Sequence, residues 1–299
     1  MHLAAVAMVR NEADVIEAFV RHHARRVDAL YVVDHRSEDG TRDILAALVA
    51  EGLRISVAHD DQPAQRQSET VTALARRAFA AGATVVLPLD ADEFVKWPQR
   101  GAFERWLGAL PAGLCAALDW QTYVPDTFAD AGHPLARARR RRATEAHGLH
   151  KVVLTRAFAD APAAVVGPGS HTVLFEGPGQ DLTRQPVRLA RVPPALAALA
   201  HLPVRSAVQL CTKIALGWRA HRAAAPRDAT LAYHWQALYE ELARTGPPGD
   251  TRLHEIAVNY GVSVDARHAA GVIALIEDPL PADTPIRHAA LARPMAVRF

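Results

Sequence analysis

Lysine, cysteine and long apolar runs are all scarce in this chain of 299 residues. Only Lys96, Lys151 and Lys213 accompany the many arginines, a bias to which we attach no functional meaning. The 34 lysines and arginines nearly cancel the 32 acids, and a formal net charge of +2 gives no global field for nucleic acid. Nucleic acid is therefore not an expected partner, and any basic function must be local.

The cysteines and the apolar segments indicate the compartment. Cys115 and Cys211 lie far apart in apolar runs without a neighbouring cysteine, which argues against a zinc cluster or a disulfide framework. No stretch of about 18 uncharged apolar residues occurs, and no signal-like segment precedes Leu3. With half of its residues hydrophobic, the chain is expected to fold in the cytoplasm as one large α/β domain or as a domain with an appendage.

Apolar runs and helical periodicity alternate along the first part of the chain. Residues 3–9, 29–34, 54–59 and 84–90 predict buried strands, and residues 13–26, 41–51 and 65–81 predict helices. This order predicts a mostly parallel sheet flanked by helices, with ligands at the carboxyl ends of its strands. Further strands are predicted at 114–123, 149–155 and 172–175 and a helix at 204–221, and the tail after Pro279 is expected to be loosely held.

The fourth predicted strand ends in the acidic segment DADE. Asp90 and Asp92 are two residues apart, so an extended strand end projects both to one side, where their charges repel unless a cation joins them. Few hard oxygen ligands, open to one side, suit Mg²⁺ or Mn²⁺ better than a closed zinc site. The alternative is a helix N-terminus, where acids favour the helix dipole.

The second predicted strand runs into DHRSEDGT. Ser37 or Asp39 could cap the helix that starts near Thr41, and Gly40 allows a tight turn. That account leaves Asp34 unexplained. A carboxylate at this strand end is well placed to bind a ribose hydroxyl or a base N–H.

Three segments together carry a family resemblance. MVRNEADVIEAFVRHH, YVVDHRSEDGTRDIL and VVLPLDADEFV resemble the successive motifs of family 2-type glycosyltransferases of GT-A fold, in the bacterial branch with R/K-N-E, D-x-x-S-x-D-G-T and D-x-D-E-F. The resemblance covers the first 95 residues in order. It implies a GT-A domain at 1–192 that binds the nucleotide sugar and catalyses the transfer, and a mainly helical extension at 193–299 that packs on this domain.

The second half resembles the same branch in shorter pieces. WQTY is similar to its W-x-x-F strand, HKVVLTR to its K-S-I-V-R segment, GSHTV to its Gly-x-His element, and AHLPVRSAVQLCTKIALGW to its H-Y-x-x-(K/R)-S element. One departure is VPD after the aromatic residue, where the branch commonly has glycine and a small residue, and this falls at the expected acceptor pocket.

The resemblance implies a metal-dependent, inverting transfer of a sugar from a UDP- or GDP-sugar to a hydroxyl of a glycan or lipid-linked acceptor, in cell-surface glycan or polysaccharide synthesis. Mn²⁺ or Mg²⁺ would coordinate the diphosphate. The resemblance implies that Asn11, Asp34 and Asp39 bind the nucleoside and that Arg66 binds the base or the diphosphate. Asp90 would bind the ribose or a metal-bound water, and Asp92 would bind the metal together with His171 or His201. Lys213 would bind phosphate. As the base that deprotonates the acceptor, Asp126 is preferred over Asp119 and Glu176 because it follows a strand expected to face the acceptor.

Two alternatives to transfer stay open, as does the role of one basic run. A sugar nucleotidyltransferase would be expected to carry a glycine-rich basic loop after the first strand, where MVRNEAD has none, and a non-catalytic protein would bind nucleotide sugars without turnover. The run RARRRR from Arg137 to Arg142 is either a mobile, solvated loop or an anion-facing loop, which would contact a phosphorylated acceptor or the anionic inner face of a membrane.

Overall fold

The computed structural model describes residues 1–62, 66–129, 132–145, 148–175, 185–223, 233–262, 273–293, 295, 297 and 299. Its first part alternates strands and helices: β1 (Leu3–Val9), α1 (Ile16–Ala24), β2 (Ala29–His35), α2 (Thr41–Ala50), β3 (Ile55–Asp60), α3 (Gln67–Ala80) and β4 (Val85–Pro88). Every strand and helix predicted for this part is present, with ends that shift by a few residues.

The four strands form a parallel sheet in the order β3-β2-β1-β4. The chain adds β2 and β3 on one side of β1 and then returns through α3 to place β4 on the other side. The strand order therefore reverses between β1 and β4, and the carboxyl ends of two such strands frame a crevice that commonly binds ligands. The predicted α/β class, with a parallel sheet flanked by helices, is confirmed.

Both faces of this sheet are buried, which explains the continuous apolar runs. Alternate residues of a strand point to opposite faces. Leu3, Ala5, Ala7 and Val9 of β1 therefore join one core cluster with α1 and α2, whereas Ala4, Val6 and Met8 join another with α3. The apolar face predicted for α3 is the face that packs there, through Val71, Leu74, Ala75, Ala78 and Phe79.

The next part builds a second, mixed sheet around one long strand. It contains β5 (Glu93–Lys96), α4 (Arg100–Gly108), β6 (Cys115–Val124), β7 (Arg140–Arg142), β8 (His150–Val153), α5 (Arg156–Ala159), β9 (Ala164–Val166), β10 (Val173–Phe175), β11 (Gln185–Pro186), β12 (Leu189–Arg191) and β13 (Ala198–His201). Strand β6 pairs with β7, β8, β12 and β13. Strands β9, β10 and β11 form a separate antiparallel sheet, and a bridge between Val86 and Leu154 joins the parallel sheet to the mixed one. The strands predicted at 114–123, 149–155 and 172–175 are confirmed.

Strand β13 positions the candidate site. It lies between β5 and β6, with His201 opposite Glu93 on one side and Thr122 on the other. A strand from the last third of the chain thus reaches the acidic segment that follows β4. The division into 1–192 and 193–299 stays a prediction.

The C-terminal part is mainly helical, as predicted. It consists of α6 (Ala207–Ala223), α7 (Tyr233–Thr245), α8 (Asp250–Val258) and the short strand β14 (Leu275–Glu277). Leu210 and Ile214 of α6 pack with Leu242 of α7 and with Leu253 and Ile256 of α8. Within the described ranges, no helix combines the length and the apolar character needed to cross a bilayer.

The tail after Pro279 is docked rather than loosely held, so that expectation is wrong for the described residues. The buried carboxylate of Glu17 accepts the backbone N–H groups of Arg287 and His288, both at 2.8 Å. Leu291 packs against the first core cluster, and a Cβ at Gly40 would overlap its carbonyl oxygen. Gly40 has φ +98°, so the turn before α2 needs glycine for its backbone and for the space.

The basic run is also more ordered than expected. Its residues 140–142 are strand β7, paired with β6 and β14, which overturns the interpretation as a mobile loop. Arg142 is buried and donates to the carbonyls of Val258 and Tyr260, both at 2.8 Å. Composition gives the charge of such a run but not its pairing with other strands. Arg139 is exposed, as expected for a solvated run.

Candidate active site

The acidic segment DADE is a turn between β4 and β5, not an extended strand end or a helix N-terminus. The N–H of Glu93 donates to the carbonyl of Asp90, and the N–H of Asp90 donates to the Glu93 carboxylate at 2.8 Å. The turn sends Asp90 and Asp92 to different partners. A second strand, instead of a helix, follows the acids because Glu93, Phe94 and Val95 pair with β13.

Asp90 is held by two side chains. Lys151 Nζ lies 2.5 Å from Asp90 Oδ2 and 3.3 Å from Glu93 Oε2, and Gln67 donates to Asp90 Oδ1 at 3.1 Å. Burial alone would lower the pKa of Lys151, but the two carboxylates raise it above its ordinary value. Burial raises the pKa of Glu93 to about 8, against the attraction of Lys151. Asp90 is therefore fixed in place by a buried, charged lysine.

Asp92 lies among groups from the other end of the chain. Its Oδ2 is 2.8 Å from Lys213 Nζ, 3.7 Å from His201 Nε2 and 3.7 Å from Arg205 Nη1. Burial opposes ionisation, but the charges of Lys213 and Arg205 hold the pKa of Asp92 well below its usual range. Burial lowers the pKa of His201 to about 3. A neutral imidazole therefore faces an ionised carboxylate.

Trp120 of β6 connects the two predicted histidines. Its ring stacks on His201 with centroids 4.1 Å apart and meets His171 edge-on at 5.0 Å. His171 Nδ1 lies 2.6 Å from the carbonyl of His150, and burial lowers the pKa of His171 to about 4. Both histidines are thus neutral and adjoin the indole, and His201 is the one within 4 Å of Asp92.

Arg205 and Lys151 are site residues that the sequence did not single out. Arg205 is 2 % exposed and contacts Glu12 Oε2 and Asp14 Oδ2, each at 2.6 Å. It thereby ties the loop after β1 to the start of α6. Burial raises the pKa of Glu12 to about 8 despite this contact. The available signal was a basic residue inside each of the apolar segments HKVVL and LPVRSAV.

The carboxylate of Asp34 offers an acceptor at the end of β2. The residue is fully buried, and Arg42 Nε donates to its Oδ2 at 3.0 Å while Arg42 Nη2 also reaches Asp61 at 2.9 Å. Asp34 Oδ1 is buried and has no hydrogen-bond partner among the described residues. Because a buried unpaired acceptor is costly, this atom fits a ligand that donates a hydrogen bond.

Asn11 and Asp39 lie at the neighbouring turns. Asn11 has φ +55° and accepts the N–H of Glu38 at 2.8 Å, while its buried Nδ2 has no partner in the described part of the chain. Asp39 accepts the N–H of Ala13 at 2.9 Å and the N–H of Thr41 at 3.0 Å. Asp39 thus organises the turn before α2, but the N-cap residue is Gly40, with no side-chain cap hydrogen bond, so the prediction of a cap by Ser37 or Asp39 is wrong. The nucleoside role of Asp39 stays a prediction.

The other predicted residues lie apart from these contacts. Arg66 forms an exposed ion pair with Glu69 at 3.3 Å, just before α3. Asp126, which follows β6, pairs with Arg140 at 2.8 Å, and Asp119 pairs with Arg191 at 2.6 Å. Glu176 lies outside the described residues. The roles given to Arg66 and Asp126 stay predictions.

Asp92 and His201 fit a divalent cation as an open pair of ligands. An ionised carboxylate and a neutral imidazole suit Mn²⁺, and such sites leave positions for phosphate. The four predicted ligands do not converge on one point. In the described ranges, three such ligand atoms come within 4.8 Å of one another only at Glu17, Glu51 and His288. There Arg21 already bridges the two carboxylates. Direct ligation by Asp90 or His171 stays a prediction.

Comparison with known proteins gives a fold likeness at low similarity. No family model and no curated protein matches the chain. S. aureus TarS 1–349 is 10% identical over 89% of this chain and 77% of that chain, with a TM-score of 0.40. The mannosyltransferase PcManGT from Pyrobaculum calidifontis, in complex with GDP-Man and Mn²⁺, is 15% identical over 91% and 76%, also at 0.40. Glucosyl-3-phosphoglycerate synthase from Mycobacterium tuberculosis, in complex with Mn²⁺ and UDP, is 20% identical over 40% and 42%, at 0.26.

Proposed function

We propose that this protein is a metal-dependent, inverting glycosyltransferase of GT-A fold that uses a UDP- or GDP-sugar. The observation that carries the proposal is the pair of Asp92 Oδ2 and His201 Nε2, 3.7 Å apart, with Lys213 beside the carboxylate. This pair lies where the β4–β5 turn meets β13. A neutral nitrogen, an ionised oxygen and an ammonium are the groups needed to hold a cation and a diphosphate.

The nucleoside would bind at the ends of β1 and β2. Asp34 Oδ1 accepts a base N–H or a ribose hydroxyl, while Arg42 keeps the other carboxylate oxygen in place. In the adjoining turn, Asn11 Nδ2 is a donor without an acceptor among the described residues. Asp90, held by Lys151 and Gln67, accepts from the ribose or from a metal-bound water. Arg66 reaches the base or the diphosphate from the start of α3.

The diphosphate would bind at Asp92. A Mn²⁺ or Mg²⁺ held by Asp92 and His201 would act as a Lewis acid that neutralises charge on the departing diphosphate. Lys213 adds a positive charge beside it. Buried Arg205 holds the loop after β1 against α6 and faces Asp92 at 3.7 Å, so a second positive charge lies near this carboxylate.

The acceptor side rests on Asp126. Its carboxylate takes the proton of the acceptor hydroxyl, which attacks the sugar on the face opposite the diphosphate and so inverts the anomeric centre. Arg140 orients this carboxylate at 2.8 Å. The acceptor is a glycan or a lipid-linked molecule, and the corresponding pathway is cell-surface glycan or polysaccharide synthesis. Within the basic run, Arg139 is exposed, so it would contact the anionic inner face of the membrane from the cytoplasm.

The test is calorimetric titration with UDP and with GDP, each with and without Mn²⁺. Asp92→Asn should weaken metal-dependent nucleotide binding at least about tenfold, because a carboxylate ligand is lost. Asp278→Asn is the matched control, since Asp278 also accepts from a lysine, Lys96, at 2.6 Å. If Asp92→Asn binds as tightly as the unaltered protein, the proposal fails.

Turnover separates the two alternatives from transfer. Release of pyrophosphate from a nucleoside triphosphate and a sugar 1-phosphate would indicate a nucleotidyltransferase. Binding of a nucleotide sugar without hydrolysis or transfer to any acceptor would indicate a non-catalytic protein. Slow donor hydrolysis that depends on Mn²⁺ and on Asp92 is the outcome that the proposal expects.

A further inference from the structure

Lys213 forms an ion pair with Asp92, the carboxylate that would bind the proposed cation. Its Nζ lies 2.8 Å from Asp92 Oδ2, the same oxygen that faces His201 Nε2. The chain has only three lysines, and each contacts an acid in this structure: Lys96 with Asp278, Lys151 with Asp90, and Lys213 with Asp92. In this structure the negative charge of Asp92 is therefore balanced from within the protein.

We propose that Lys213 is an exchangeable internal cation. It neutralises Asp92 in the nucleotide-free protein and passes to the diphosphate when a divalent cation and the nucleotide bind together. The inference rests on the proposed function, because it needs a cation and a diphosphate at this site. It adds that the cation alone binds poorly and that the two ligands strengthen one another.

The contrast with Lys151 shows why Lys213 can exchange. Lys151 has a side chain only 1 % exposed and contacts two carboxylates, those of Asp90 and Glu93. The Lys213 side chain is 23 % exposed, and Asp92 is the carboxylate it contacts. The ammonium also lies over the ring of Tyr260, 5.4 Å from its centroid. A long, partly exposed side chain can redirect its ammonium at small cost, whereas a buried one with two acids cannot.

Charge accounts for the coupling. A cation that binds without a diphosphate must displace the ammonium from Asp92 and leave the two positive charges next to each other, with Arg205 also 3.7 Å away. A diphosphate removes that repulsion because it receives both the cation and the ammonium. Cation and nucleotide must therefore raise one another's affinity by the same factor.

The inference has an unusual consequence for a variant. Lys213→Gln removes the competing charge, so Mn²⁺ alone should bind more tightly than in the unaltered protein. The same variant lacks the ammonium that meets the diphosphate, so UDP should strengthen Mn²⁺ binding less. A lysine that only binds phosphate would change the second quantity and leave the first unaltered.

Calorimetry and the electron paramagnetic resonance signal of free Mn²⁺ measure both quantities without turnover. For Lys213→Gln we expect Mn²⁺ alone to bind about tenfold more tightly, and the factor by which UDP strengthens it to fall about tenfold. Lys96→Gln is the matched control, because it breaks a lysine–aspartate contact of 2.6 Å elsewhere, and it should change neither quantity.

Failure of the inference is distinguishable from failure of the proposed function. If the unaltered protein binds no Mn²⁺ even with UDP, the proposed function fails. If it binds Mn²⁺ with UDP but Lys213→Gln binds Mn²⁺ alone no more tightly, the exchange is wrong and the function stands. Equal Mn²⁺ affinity with and without UDP in the unaltered protein also overturns the exchange, whether or not the variant folds.

Discussion

The two aspartates of the D-x-D segment, Asp90 and Asp92, have different surroundings although they are two residues apart. Asp90 is fixed by Lys151 and Gln67, so both of its oxygens are engaged. Asp92 instead faces a neutral histidine and a partly exposed lysine that come from β13 and α6. One motif thus supplies two kinds of carboxylate, one held by a buried lysine and one beside a partly exposed lysine. The difference comes from partners far away in the sequence.

Removal of Lys151 should have the largest effect. Lys151→Met leaves Asp90 and buried Glu93 without their cation, so we expect the free energy of unfolding to fall by about 3–5 kcal/mol. Lys213→Met should cost less than half as much, because its side chain is partly exposed and Arg205 still faces Asp92. Urea unfolding measures both. Equal losses would break the distinction between a fixed and an exchangeable lysine.

A smaller effect is expected at the nucleoside end. Asp34→Asn replaces a buried acceptor, so affinity for UDP should fall about tenfold while affinity for Mn²⁺ alone stays unchanged. Asp61→Asn is the control, since Asp61 also accepts from Arg42, at 2.9 Å, but is exposed. Isothermal calorimetry with each ligand separates the two affinities. An equal loss in both variants would mean that Asp34 acts only through Arg42.

The smallest expected effect is a pH dependence that is nearly absent. Burial lowers the pKa of His201 to about 3, and the pKa of Asp92 lies below its usual range, so both ligands are already deprotonated at pH 5. Binding of Mn²⁺ with UDP should therefore release no proton from this pair between pH 7 and pH 5, although free histidine titrates at about 6.5. Calorimetry in two buffers of different ionisation enthalpy counts the protons. The terminal phosphate of UDP itself has a pKa of about 6, so the protons that UDP and Mn²⁺ release without protein are subtracted. Release of about one further proton at pH 6 would show that His201 is not held neutral.

The first part of the fold could be predicted because its signals are local. Each strand and helix up to β4 is a single stretch with its own periodicity, and the polar strand ends follow directly. The positions of Asp34 and of the acidic segment could be predicted for the same reason. The conformation of DADE could not, because the pairing of β5 with β13 makes it a turn.

The rest of the site depends on contacts between distant residues. Lys151 and Asp90 are 61 positions apart, Lys213 and Asp92 are 121 apart, and Arg205 and Asp14 are 191 apart. Periodicity contains no information about such pairs. The docked tail is the extreme case, since Glu17 accepts from backbone groups 270 and 271 positions away. The strand at Arg140–Arg142 was missed because five arginines indicate charge but not sheet pairing.

The most direct test of the account is a crystal structure with UDP and Mn²⁺, with anomalous diffraction to locate the manganese. The account predicts one manganese peak in contact with the Asp92 carboxylate and His201 Nε2. It also predicts the diphosphate beside Lys213, and the nucleoside hydrogen-bonded to Asp34 Oδ1. Lys213 should have left Asp92, and Lys151 should still hold Asp90. Nucleotide bound away from Asp34, or manganese without contact to Asp92, would contradict the proposed function.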